Sequence, residues 1–304
     1  MGLKEVLVLF TMDCEAYVSD RRLSERSIRG YVDTIEAYGF PTTLFVHPEV
    51  AARHRELLLE LQDQGACLGL HLHPKWFGDG RYRKEIGAYS ASEQRKMIKE
   101  AMDVWRRALG QNPLYFRGGV FSANDNTFRV LQELGFKGGS LSCPGRVLPE
   151  FYSVWAGAEP YPHRAHLNFR LVKGDSDFVE VPISVDFQRP GEAHIYPGRA
   201  PTQGYEWLYI AERRFYNYEK VLRHLLERFR RDSPNYPTIV TDTHNNEDYS
   251  NRENPARLNL ESVLRLLESL CEEAGVKPVG STLSHICNMV LSENGEKSEV
   301  RQRP

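Results

Sequence analysis

Residues 4–11 (KEVLVLFT) form a nearly continuous apolar run that is rich in β-branched and aromatic side chains. Such a run is typical of a strand buried on both faces, as in a parallel sheet. Similar runs occur at residues 42–47 (TTLFVH) and 66–73 (ACLGLHLH), separated by helix-period segments that end at Gly39 and Gly65. The order strand, helix, strand, helix predicts an α/β fold with a parallel sheet.

The same alternation continues along the rest of the chain. About eight strands and seven helices with no linker between them predict one domain over residues 1–293, a distorted (β/α) barrel of about seven to eight parallel strands. Two Pro-, Gly- and aromatic-rich segments, residues 143–177 and 191–207, are expected to form long loop excursions. Residues 294–304 are polar and are expected to form a flexible tail.

Composition and charge exclude several classes of protein. The chain has 304 residues and a formal net charge of -2, so it lacks the basic surface expected of a nucleic-acid-binding protein. Its longest apolar run, residues 6–10, is too short for membrane insertion. Five scattered cysteines without a CxxC pattern, and an N-terminus unlike a signal peptide, predict reduced thiols and a cytoplasmic location. The oligomeric state is not indicated.

Polar side chains follow four of the predicted strands, at the ends where a (β/α) barrel carries its chemistry. They are Asp13, Glu15, His71, His73, Arg117 and His244. We therefore expect these six side chains to meet at one rim of the barrel and to form the active site.

His71 and His73 are two residues apart on a predicted strand, so both rings point to the same face. Two histidines and a carboxylate with an open coordination position are typical of a hydrolytic zinc site. An isolated pair of this kind is more often structural, but Asp13 and Glu15 on the neighbouring strand favour a divalent metal site with Zn²⁺ as the expected ion.

The remaining residues fit the roles of base and acid. Asp13 and Glu15 share a two-residue spacing, so one could bind the metal while the other acts as general base, although Asp13 could instead cap a turn. Arg117 lies between apolar residues and is expected to pair with Asp13 and orient it. His244 could protonate a leaving group at neutral pH, and a structural role is equally compatible with its setting.

These segments resemble the motifs of the polysaccharide deacetylase family, which has the NodB-homology fold of carbohydrate esterases. Residues 6–15 (VLVLFTMDCE), 66–74 (ACLGLHLHP), 116–136 (FRGGVFSANDNTFRVLQELGF) and 237–244 (PTIVTDTH) are similar to its first, second, third and last motifs. The resemblance covers nearly the whole chain. The GLHLHP form of the second motif is similar to the branch linked to lipopolysaccharide and surface-glycan biosynthesis.

The chain departs from the family pattern at three places. The second Asp of the first motif is replaced by Cys14, so either Glu15 or Cys14 would complete the metal site. The family spaces its two histidines four residues apart, where Lys75 stands here, so His73 is expected to take that role. The fourth motif, an Asp followed by an aromatic residue, has only Asp186 as a candidate.

The resemblance implies a metal-dependent amidohydrolase that removes an acetyl group from an N-acetylated sugar or glycoconjugate precursor. It implies metal ligation by Glu15, His71 and His73, and catalysis by Asp13, Arg117 and His244. Two alternatives stay open: a metal-independent hydrolase of cyclic or linear amides on the same fold, and a catalytically inactive glycan-binding relative. Aromatic side chains of the excursions would stack on sugar rings or simply pack their own loops: Trp155, Tyr161, Tyr196, Tyr205 and Trp207.

Overall fold

The computed structural model describes residues 2–190, 204–210 and 217–301. The strands in these residues are β1 (Glu5–Cys14), β2 (Thr42–Val46), β3 (Cys67–Leu72), β4 (Tyr115–Gly118), β5 (Gly138–Gly139), β6 (Val147–Leu148), β7 (Ser153–Val154), β8 (His163–Arg164), β9 (Val179–Glu180), β10 (Val185–Pro190), β11 (Tyr205–Trp207), β12 (Thr238–Val240) and β13 (Lys277–Gly280). The α-helices are α1 (Arg21–Glu36), α2 (Pro48–Arg53), α3 (Arg55–Asp63), α4 (Ala91–Leu109), α5 (Thr127–Glu133), α6 (Tyr218–Asp232), α7 (Pro255–Glu273) and α8 (Leu283–Arg301).

The main sheet is a curled, mostly parallel sheet in the order β12-β1-β2-β3-β4-β5-β9-β8. The strand β13 pairs with the first half of β1, and β2 pairs with its second half. Every pairing in this sheet is parallel except that of β8 with β9. The chain therefore has the predicted α/β class and the predicted architecture of a distorted barrel.

The central strand β1 shows how the sheet is buried on both faces. Even-numbered side chains from Val6 to Cys14 lie in the core between the sheet and the helices. Leu7 and Leu9, at odd positions, pack in a second cluster on the opposite face. The strand extends to Cys14, further than the predicted residues 4–11, so Asp13 lies within it and shares the inner face with Leu7 and Leu9.

Two parts of the fold are shaped by proline. The helical segment that ends at Gly65 comprises α2, which begins at Pro48, and α3, which follows it. Proline favours the first position of a helix because its missing N–H has no partner there. The strands β9 and β10 are separate because Pro182, which lies between them, has no N–H for a continuous ladder.

The first excursion is packed against the barrel. Its segment contains the β6–β7 hairpin and β8, and Trp155 is fully buried, with its Nε1–H donating to the carbonyl of Phe121 at 2.7 Å. Tyr161 contacts Asp232 and Phe229. Tyr196 lies outside the described residues. None of the described helices combines the length and the apolar character required to cross a bilayer.

Candidate active site

The structure brings the six predicted side chains together at the rim formed by the carboxyl ends of β1, β3, β4 and β12. Five are almost completely buried, and His244 is partly exposed. Parallel strands of one sheet end at the same edge, which is why positions far apart in sequence meet here. A parallel bridge between Asp13 and His244 extends the β1–β12 pairing to this rim.

Glu15, His71 and His73 form the tightest cluster at the rim. The Oε1 atom of Glu15 lies 3.1 Å from Nε2 of His71 and 3.0 Å from Nε2 of His73. One ligand atom from each residue lies within 4.8 Å of the other two. Burial alone would raise the pKa of Glu15, but the two imidazole rings outweigh it and hold this pKa well below its usual range.

The second ring nitrogen of His73, Nδ1, faces another carboxylate. This nitrogen lies 3.1 Å from both oxygens of Glu85, and Lys75 Nζ lies 2.8 Å from the same carboxylate. Although burial opposes protonation, Glu15 and Glu85 together raise the pKa of His73 to about 9. Glu85 follows no strand and belongs to no motif, so the sequence carried no signal for it. Lys75 stands at the position of the family's second histidine. Its ammonium group contacts Glu85, which in turn contacts His73.

Arg117 is fully buried and binds two carboxylates with one nitrogen. Its Nη1 donates to Asp13 at 2.9 Å, to Asp242 at 2.8 Å and to Thr11 Oγ1 at 2.9 Å. Its other nitrogens donate to the backbone and side chain of Ser140. The predicted Arg117–Asp13 pair is confirmed, and Asp242 is a partner that sequence reasoning missed. Burial, with Asp13 nearby, raises the pKa of Asp242 to about 6.

His244 lies next to the cluster of Glu15, His71 and His73. Its Nε2 lies 3.9 Å from Oε1 of Glu15, and its Nδ1 lies 2.9 Å from the hydroxyl of Tyr209. Asp186, the candidate for the fourth family motif, lies 2.7 Å from Nδ1 of His224 instead.

Cys14 and Glu15 point to opposite faces of the sheet, because successive side chains of an extended strand alternate between its two faces. Cys14 is completely buried in the core between the sheet and the helices. Burial raises the pKa of its thiol well above the usual value, which disfavours the thiolate. Of the two residues that could complete the cluster, Glu15 is the one that the fold brings to His71 and His73.

Two exposed aromatic side chains border the cluster. Tyr17 is 48% exposed and Trp76 is 38% exposed, and their ring centroids lie 5.3 Å apart. The ring of Trp76 lies 4.1 Å from that of His73. Aromatic side chains for sugar stacking were expected in the excursions, whereas Tyr17 follows β1 and Trp76 ends a 3₁₀ turn after β3.

The family model for polysaccharide deacetylase matches residues 7–139, which contain five of the six predicted site residues. A solved structure from Mycobacterium smegmatis, classed among polysaccharide deacetylases, has 17% sequence identity and a TM-score of 0.60, with 96% of this chain and 92% of that chain covered.

The structure of Puue allantoinase has 13% identity and a TM-score of 0.52, with 93% of this chain and 89% of that chain covered. At these identities the similarities establish a shared fold. No curated protein sequence matches this chain. The family model thus matches the part of the chain that holds five of the predicted site residues, and the shared fold extends over nearly the whole chain; the matched family consists of hydrolases of N-acetyl amide bonds.

Proposed function

We propose that this protein is a metal-dependent N-deacetylase of an N-acetylated sugar or glycoconjugate. The observation that carries the proposal is the convergence of Glu15, His71 and His73 within 4.8 Å at the rim. Asp13, held by Arg117, and His244 each lie within 4 Å of a member of this cluster, where they could serve as the base and the acid of amide hydrolysis. The family match supports the reaction class.

The three residues fit a divalent metal. Two imidazole nitrogens and one carboxylate oxygen are a donor set typical of catalytic zinc, with a further position open for water. The Oε2 atom of Glu15 is buried and has no hydrogen-bond partner among the described residues. An unpaired buried oxygen is unusual for a carboxylate that has only a structural role. When bound, Zn²⁺ would polarise the amide carbonyl and lower the pKa of water from about 16 toward about 7.

Asp13 acts as the general base in this proposal. Its Oδ1 accepts a hydrogen bond from Arg117, and its Oδ2 lies 3.8 Å from Nε2 of His71. The carboxylate therefore presents its second oxygen to the space beside the cluster, where the attacking water would lose its proton. Arg117 positions the base, because its guanidinium is itself anchored to Ser140.

His244 protonates the leaving amine in this proposal. Its Nδ1 is engaged by Tyr209, so its Nε2 is the nitrogen that faces the cluster. The base and the acid thus approach a bound amide from different strands, β1 and the segment after β12. Tyr17 and Trp76 would offer flat apolar faces to the sugar ring next to the reacting amide.

The proposal is tested by metal analysis together with acetate release from N-acetyl sugars and glycoconjugates. We expect about one equivalent of zinc in protein purified without chelators. The His71→Ala/His73→Ala variant should lose both metal and activity. The His166→Ala/His285→Ala variant, which removes two histidines outside the site, should keep both.

A wild-type protein that binds no divalent ion would contradict metal dependence and would favour a metal-independent amide hydrolase on the same fold. A protein that binds zinc but releases acetate from no N-acetylated sugar would contradict the proposed substrate class. Asp13→Asn separates the roles of the site residues, because it should retain zinc while losing most of the turnover.

A further inference from the structure

The register of the sheet places a further histidine in the site. Val46 of β2 is paired with Cys14 on one side and with Leu70 on the other. The next position along each strand is therefore occupied by Glu15, His47 and His71, and the backbone N–H of His47 donates to the carbonyl of Cys14 at 3.0 Å. Residues in one row of a parallel sheet share a face, so His47 lies between two members of the cluster.

His47 is completely buried, and only one of its ring nitrogens has a partner among the described residues. Its Nδ1 accepts a hydrogen bond from the backbone N–H of Glu49 at 3.4 Å and so caps the start of α2. Because Nδ1 accepts this hydrogen bond it carries no proton, so the ring is neutral. With Nδ1 as acceptor, the single ring proton is on Nε2.

The Nε2–H of His47 is consequently a buried donor without an acceptor in the described part of the chain. Glu15 offers a buried acceptor without a donor. Its Oε1 contacts His71 and His73, whereas its buried Oε2 receives no hydrogen bond from any described residue. Buried polar groups are rarely left unpaired. Here a donor and an acceptor without partners occupy adjacent positions of the same row.

We propose that His47 is a positioning residue of the metal site, whose Nε2–H donates to Oε2 of Glu15 through one bridging water. The inference rests on the proposed function, because it concerns how the carboxylate ligand is oriented. With Oε2 held by His47, Oε1 is left for the ion. Partners of this kind typically contribute 10- to 100-fold in metal affinity.

A role for His47 as a further metal ligand fits the contacts less well. Ligation through Nε2 would move the ring proton to Nδ1, where the N–H of Glu49 already donates. The sequence pattern gives His47 no role, since it ends a strand without a motif; its significance follows from the register of β1, β2 and β3.

Two substitutions separate the functions of the two ring nitrogens. His47→Asn retains a side-chain oxygen that can cap α2 but removes the donor at Nε2. His47→Gln retains a donor at about the reach of Nε2 but removes the cap. The measurements are the Zn²⁺ dissociation constant by competition with a chelator, the Co²⁺ absorption spectrum, and the melting temperature of the metal-free protein.

We expect His47→Asn to weaken Zn²⁺ binding about 10- to 100-fold and to alter the Co²⁺ spectrum, with little change in the melting temperature. His47→Gln should melt lower but bind Zn²⁺ nearly as well as the wild type. Wild-type affinity in His47→Asn would overturn the inference and leave the proposed function intact. A wild-type protein without metal affinity would overturn both.

The ring tautomer is a test that needs no substitution. The ¹⁵N chemical shifts of the histidine rings in the wild-type protein distinguish a proton on Nε2 from one on Nδ1. We expect His47 to carry its proton on Nε2 in both the metal-free and the Zn²⁺-bound protein. A proton on Nδ1 would remove the donor and overturn the inference even if neither variant folds.

Discussion

The hydroxyl of Tyr209 lies 2.9 Å from Nδ1 of His244. Burial raises the pKa of Tyr209 well above its usual value, so this group stays protonated and can donate to the imidazole. A neutral hydroxyl orients the ring without supplying the negative charge that a carboxylate would bring. The proton available to a leaving group is then on Nε2, which faces Glu15.

Tyr209→Phe should lower kcat about 10- to 100-fold with zinc content unchanged, because the general acid loses its orientation but remains present. Steady-state acetate release and metal analysis on the same preparation check this. Tyr82→Phe removes a hydroxyl that contacts Glu100 away from the site and should be silent. A Tyr209→Phe enzyme with wild-type kcat would show that His244 does not depend on this contact.

Removal of Arg117 should destabilise the fold as well as the reaction. Arg117→Ala leaves Asp13 and Asp242 buried side by side without their shared cation, and loss of one partner from such a network costs about 3–5 kcal/mol. Urea denaturation of the metal-free protein measures this loss. Acetate release should fall in parallel because Asp13 loses its positioning contact.

A double variant, Arg117→Ala with Asp242→Asn, separates the loss of stability from the loss of acetate release. It removes one of the two uncompensated carboxylates, so part of the lost stability should return while kcat remains low. If the second substitution restores no stability, the two carboxylates are not coupled through Arg117 as the distances indicate.

Glu85 should influence metal affinity without contacting the ion. Glu85→Gln removes the charge beside Nδ1 of His73, which lowers the basicity of that ligand and should weaken Zn²⁺ binding about 10-fold or more. Chelator competition measures the change. Glu133→Gln, which removes an equivalent charge from an exposed ion pair with Arg95, should leave the affinity unaltered. Equal affinities in the two variants would contradict a role for Glu85.

Glu180 should make stability depend on pH. The side chain is fully buried, and burial raises its pKa from 4.5 to about 7 despite hydrogen bonds from Leu141 and Ser142. Below pH 4.5 both the folded and unfolded states bind the proton, so Glu180 does not make the free energy of unfolding depend on pH there. Between pH 4.5 and about 7 the unfolded state releases the proton first, and stability falls by up to about 3 kcal/mol.

Glu180→Gln keeps an oxygen for the same donors and removes the charge. The stability difference between variant and wild type should therefore increase from pH 5 to pH 8, as measured by urea denaturation at both values. The exposed substitution Glu227→Gln serves as the control and should show no such trend. A difference that is independent of pH would mean that Glu180 is ionised in the folded protein throughout this range.

Much of the candidate site could be predicted because it depends on local geometry. The spacing of His71 and His73, and of Asp13 and Glu15, places each pair on one face of an extended segment whatever surrounds it. Parallel strands then bring those faces to one rim, and a buried arginine requires a carboxylate. These features are encoded within a few residues each.

The remaining residues of the site are determined by long-range packing. Glu85 contacts His73, and Tyr209 contacts His244, from segments whose course no hydrophobic periodicity predicts. Asp242 contacts Arg117 although the two residues are far apart in sequence. His47 acquires its neighbours only through the register of three strands.

The sequence by itself determined the strand and helix order, the inner face of β1 and the residue types available for chemistry. Only the tertiary structure decided which buried donor meets which acceptor, because hydrogen-bond partners are selected by strand register and loop path. Those depend on the packing of the entire barrel, and no short segment of the chain contains that information.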